Sequence, residues 1–178
     1  MKNESVAKGM CEFMYTISGV IDQRCLEKFM EFLQNDVSDE CTRLHIMICS
    51  NGGLISVAIA IGQLLRSLPC EVVTYNISNV DSAAIAVFAG GTRRVCTPHG
   101  SFVFHPAAKE ISGAKNAAEL RLLAKEVDSD TKRFVSFLEC CTGTPMKDWE
   151  SKMNSNVRMS AKNATIIMLA TEVGSPPL

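Results

Sequence analysis

Apolar positions along this chain follow two alternating rhythms. FMYTISGVI (13–21), LHIMICS (44–50) and CEVVTYNI (70–77) are short runs rich in β-branched and aromatic residues, as expected of strands. Between them the spacing becomes helical. DQRCLEKFMEFLQND (22–36) puts Cys25, Leu26, Phe29, Met30 and Phe32–Leu33 on one face, and LISVAIAIGQLLRSL (54–68) has the length of a helix and stops at Pro69. Asp81–Phe88 predicts a short helix. TRRVCTP and SFVFH (101–105) predict two further strands, the first closed by Pro98 and a turn at Gly100. Residues 114–141 predict a long amphipathic helix, with Leu120, Leu123, Val127, Phe134, Phe137, Leu138 and Cys141 on its apolar face. After a TGTP turn, helices are expected at 145–153 and from Ser160, with a loop between them.

This β-α-β-α order predicts an α/β domain with helices packed on a mostly parallel sheet. In such sheets functional groups gather beyond the carboxyl ends of the strands. Three stretches fall there: Asn51-Gly52-Gly53, Asp81-Ser82 and His105.

Composition narrows the function classes. The 178 residues are 47% hydrophobic and 21% charged, which fits one globular domain covering 1–178. A net charge of −1 gives no electrostatic footprint for nucleic acid or an anionic membrane. AAIAVFAGG and ATIIMLATEV are too short to span a bilayer. The polar start, MKNESVAKG, has no apolar signal core, and the GSPPL tail is expected to fray. The eight cysteines are dispersed, with no C-x-x-C pair and no histidine near Cys140–Cys141. Reduced thiols, no zinc, no cofactor and a cytoplasmic location are expected.

A serine before a helix is most often a cap. Ser82 could instead be a nucleophile delivered by a strand-to-helix turn, which requires a base, a group to orient the base, and donors for the oxyanion. His105 is the best-placed base, because His45 lies inside a strand and His99 in a turn. The N–H of Ala83 and the side-chain-free Gly52-Gly53 turn are candidate donors.

The order NGG-LISVAIAI, then DSAA, FVFHP, TGTP and RMSA resembles the Clp protease proteolytic subunit over residues 13–173. That family has a Ser-Pro-Gly-Gly turn before a helix, an Ala-Ser-Met turn with the nucleophile, and Met-Ile-His-Gln-Pro with the base. The resemblance implies a crotonase-like, ClpP-type β-β-α superhelix. Its head would cover about 13–105 and 142–173, and a protruding handle helix about 114–141. It also implies a serine endopeptidase with Ser82 as nucleophile, His105 as base, and Gly53 and Ala83 as oxyanion donors. The substrates would be peptides or unfolded polypeptides, and the chain a homo-oligomer, as a ring.

The family's acidic third member departs here. Aligning Met159-Ser160-Ala161 puts Asn156 at its position, and Asp81 and Asp148 are the carboxylates that could substitute. An Asn carbonyl can orient a histidine but brings no charge, and Asp-to-Asn in a serine triad can cost ~10⁴ in turnover. Two further readings therefore stand beside the peptidase. One is a weakened or inactive scaffold or partner subunit. The other is a crotonase-type acyl-CoA enzyme in which Gly53 and Ala83 hold a thioester. Asn154-Ser155 replaces a family Asp-Arg pair that contacts a second ring, which argues against stacked rings. The short MKNESVAKGMCE segment before the first strand argues against gating by a Clp-type ATPase.

Overall fold

The computed structural model describes residues 11–177. The polar N-terminal segment, on which the signal and gating expectations rest, lies almost wholly outside the described residues, as does Leu178.

Strand β1 (Glu12–Ile21) leads into α1 (Gln23–Asn35), whose first turn is capped by the Asp22 carboxylate accepting from Cys25 N–H at 2.9 Å. Strand β2 (Arg43–Gly53), α2 (Ile55–Ser67), β3 (Glu71–Val80) and α3 (Ala84–Ala89) follow in alternation. β4 (Arg93–Cys96) and β5 (Ser101–Val103) precede the long α4 (Ala117–Thr142), and α5 (Met146–Asn154), β6 (Arg158–Ser160), α6 (Ala161–Ile166) and β7 (Glu172–Val173) complete the chain. The main sheet runs β1-β2-β3-β4-β7, all parallel, while β5 pairs with β3 and, antiparallel, with β6.

Three differences from the sequence reading bear on function. β2 continues through the NGG stretch, which is therefore the end of a strand and not a separate turn. β3 runs on to Val80, at the threshold of Ser82. The loop expected before Ser160 contains β6, which anchors the chain beside His105.

Alternation sorts the central strands. Leu44, Ile46, Ile48 and Val72 are fully buried and share one core with Phe29 of α1, Ile61 of α2 and every residue of α3. α2 and α3 approach so closely that a Cβ on Gly62 would lie 2.7 Å from the Ala86 carbonyl oxygen. The opposite face of the sheet carries Val73, Tyr75 and Val95. His45 is buried there between the Tyr75 hydroxyl (2.9 Å) and the Glu12 carboxylate (3.1 Å). That hydrogen bond from His45 holds the Glu12 carboxyl below its ordinary value. His45 is thus a structural histidine.

Arg94 is 6% exposed, and its guanidinium donates to the carbonyls of Leu169, Gly91 and Met168 at 2.8, 3.0 and 3.0 Å. It clasps the last loop onto β4. Met168 sits there with φ 59, a conformation that favours glycine. Arg94→Ala strands three carbonyls, and is expected to lower unfolding free energy by about 2–4 kcal/mol. A urea titration reads this; an unchanged midpoint would contradict it.

Helix α4 has a capping box from Asn116 and Glu119 at one end and left-handed Gly143 at the other. Its buried residues, Phe134, Val135, Phe137 and Leu138, all lie in its second half. In the first half Leu120 and Leu122 are exposed. The helix projects from the head. No described helix is long and apolar enough to cross a membrane.

Candidate active site

Ser82 occupies a sharp turn between β3 and α3, at φ 55. A non-glycine residue held there costs on the order of 1–3 kcal/mol, so its surroundings must impose it. Asp81 N–H donates to Ser50 O at 2.9 Å on one side, and Ser82 N–H donates to Val103 O at 2.8 Å on the other. Strands β2 and β5 thus grip the turn from both flanks. The Ser82 hydroxyl makes no hydrogen bond among the described residues, and α3 has no side-chain cap at all. The cap reading of Ser82 fails on this geometry. A strained strand–turn–helix presenting a free hydroxyl is the arrangement of nucleophile elbows.

Gly52 makes the close approach possible. Its φ is +102, and a Cβ there would lie 2.7 Å from Ser82 Cβ, 2.8 Å from Asp81 O and 3.1 Å from Ala83 N. Its N–H is taken by the Ser50 hydroxyl at 3.0 Å, and that of Leu54 by Ile21 O at 2.8 Å. Gly53, between them, is exposed and borders a groove shared with Ser82 and His105. Ala83 is 1% exposed, yet its N–H has no acceptor among the described residues. A buried unpaired N–H is rare enough to need a reason.

His105 lies two residues past the end of β5, half-buried. Its neighbour Phe104 is locked in place, stacked on Trp149 with ring centroids 5.7 Å apart, and its N–H donates to Val157 O at 2.8 Å. Trp149 is in turn held by its Nε1–H on Thr144 O at 3.0 Å. The His105 Nδ1 lies 2.8 Å from Pro106 O. A carbonyl oxygen only accepts, so Nδ1 is the donating nitrogen, and in the neutral ring Nε2 is the one that can accept a proton. Ser82, Ala83 and His105 border one hollow, with no direct Ser82–His105 hydrogen bond.

Asn156 is brought to the right strand position but not to the imidazole. Extending the β5–β6 register beyond Val103–Arg158 and Phe104–Val157 puts its backbone opposite His105. Its φ is 51, its side chain is exposed, and no hydrogen bond joins it to His105. The Pro106 carbonyl does the orienting instead, a role that no residue pattern announces. Neither alternative carboxylate replaces it. Asp148 borders a different hollow, beside Thr144 and Lys152. Asp81 accepts from Asn79 at 3.3 Å, and its other oxygen is buried without a partner among the described residues.

Two buried thiols are poor nucleophiles. Burial pushes Cys96 up to about 12 and Cys141 up to about 11, so both stay protonated at neutral pH. Among the described residues no cluster of His, Cys, Asp and Glu could hold a metal ion.

The family model for Clp protease matches residues 5–176. The ATP-dependent Clp protease proteolytic subunit 2 of Chlamydia muridarum is 30% identical over 142 residues, covering 78% of this chain and 69% of that protein. Proteolytic subunit 1 of Chlamydia felis is 29% identical over 134 residues, covering 74% of this chain and 65% of its relative's length. Among solved structures, a ClpP1 from Listeria monocytogenes with one asparagine replaced by aspartate superposes with a TM-score of 0.76. The two are 19% identical, and the match covers 92% of this chain and 91% of that one, so the fold is shared. With its parallel sheet, projecting helix and near full-length family match, the chain has a ClpP-type fold and belongs to the Clp protease family.

Proposed function

We propose that this protein is a serine peptidase that hydrolyses peptides or unfolded polypeptides at Ser82. The observation that carries the reading is the single hollow bordered by the free Ser82 hydroxyl, His105 and the unpaired Ala83 N–H. The His105 Nε2 takes the hydroxyl proton as Oγ attacks the peptide carbonyl. The N–H groups of Ala83 and Gly53 receive the oxyanion. The imidazolium then protonates the leaving amine, and water releases the acyl group by the same steps in reverse order.

Orientation of His105 by the Pro106 carbonyl supports catalysis without a carboxylate, although that neutral dipole stabilises the imidazolium less than a charge would. Asn156 keeps its place opposite His105 as the third member implied by the family resemblance, and its contribution can be measured. Asn156→Ala is expected to lower kcat/KM only a few-fold while Pro106 O holds the ring. A loss near the ~10⁴ known for a triad orienter would instead assign the orienting role to Asn156.

The exposed Leu120 on the projecting half of α4 supports assembly into a homo-oligomeric ring, because this leucine of the helix's apolar face finds no cover within the subunit. Cleavage of a fluorogenic peptide by the purified oligomer tests the reading. Hydrolysis that disappears in His105→Ala supports it, and a folded oligomer that cleaves nothing favours a silent scaffold subunit.

A further inference from the structure

Two distinct spaces meet at Ser82 and His105. One is an open groove of about 190 Å³ that passes Gly53, Leu54, Ala108 and Lys109. The other is a hole lined, beyond Ser82, Ala83 and His105, by apolar side chains that include Ile55, Ile85, Phe104, Phe134 and Met153. That hole has about 10 Å³ of free space, room for one water-sized group. The groove suits an extended main chain, and the hole suits one side chain.

On the peptidase reading the hole takes the side chain of the residue that contributes the scissile carbonyl, and we propose that in this chain Phe134 and Met153 restrict that residue to small apolar side chains, alanine foremost. The other walls cannot easily recede. Ile85 is fully buried in α3, and Phe104 is clamped between Trp149 and the hydrogen bond to Val157. Phe134 and Met153, 2% and 4% exposed, come from α4 and α5, which carry no catalytic group. They are the specificity-determining residues. A leucine or phenylalanine would overpack the hole, and a lysine would bury its charge with no partner there.

The test is a series of acetyl-tripeptide aminomethylcoumarin amides that differ only in the last residue: Ala, Val, Leu, Phe or Lys. Wild type is expected to favour Ala over Leu by roughly tenfold or more in kcat/KM, the scale set by added methylenes in an apolar pocket. Met153→Ala and the milder Phe134→Leu should each raise the Leu/Ala ratio by about tenfold. Preference for Leu or Phe in wild type would overturn the inference, and needs no variant to fold. So would an unchanged ratio in both folded variants. Fluorophosphonate labelling separates the two claims. A labelled Ser82 with the wrong size order sinks the inference alone, and no label with no cleavage sinks both it and the peptidase reading.

Discussion

Ser82→Ala is expected to lower peptide hydrolysis by about 10⁴-fold or more while leaving the fold intact. The hydroxyl makes no hydrogen bond that the fold needs, and the turn is held by backbone bonds to Ser50 and Val103. Alanine inherits the same backbone strain at φ 55, so the melting temperature should hardly move. Ser82→Gly separates the two roles of this position. Glycine relaxes the left-handed conformation, so this variant should be as inactive as Ser82→Ala yet more stable than wild type, by about 1 kcal/mol. A natural serine kept at a strained position is what a stability–activity trade-off looks like. Equal stability in all three proteins would mean that the surroundings do not impose the strain.

Gly52→Ala is expected to damage activity and stability together. The new methyl would meet Ser82 Cβ, Asp81 O and Ala83 N within 2.7–3.1 Å, and two of these are backbone atoms. Backbone cannot swing aside as a flexible side chain does, so the elbow itself must move. Shifting the Ala83 N–H away from the oxyanion should cost ~10²–10³ in kcat, as loss of one such donor does. The positive φ adds strain on the order of 1–3 kcal/mol. Single-turnover kinetics with a saturating ester, beside a thermal melt, measures both. Wild-type kcat with a lowered melting temperature would show that Gly52 serves folding alone.

Much of the scaffold was legible because its residues are repetitive in the right way. Leu44, Ile46 and Ile48 alternate with residues facing the other side of the sheet, and Cys25, Leu26 and Phe29 recur with helical spacing. The expected strands and helices are found close to their expected bounds. The short elements were invisible. β6 and β7 span three and two residues, too few for a period, and exist because β5 and β4 offer them partners. The glycines that end β2 read as a turn, because glycine carries no side chain to reveal a strand's two faces.

The site shows the same division. Asn51-Gly52-Gly53, Ser82 and His105 could be placed together from the order of strand ends, and the structure brings the last three residues around one groove. The partner of His105 could not. Pro106 acts through its carbonyl oxygen, and every residue has one. The Arg94 clasp is a further case: it depends on a loop conformation, with Met168 at φ 59, that no residue pattern announces.

One measurement bears most directly on Ser82 as an activated nucleophile. Purified protein is treated with a fluorophosphonate, and the intact masses of wild type, Ser82→Ala and His105→Ala are compared. A single adduct on wild type, absent from Ser82→Ala and strongly slowed in His105→Ala, is the expected result. A folded wild-type protein that takes up no adduct, or a Ser82→Ala variant labelled as readily as wild type, would contradict it.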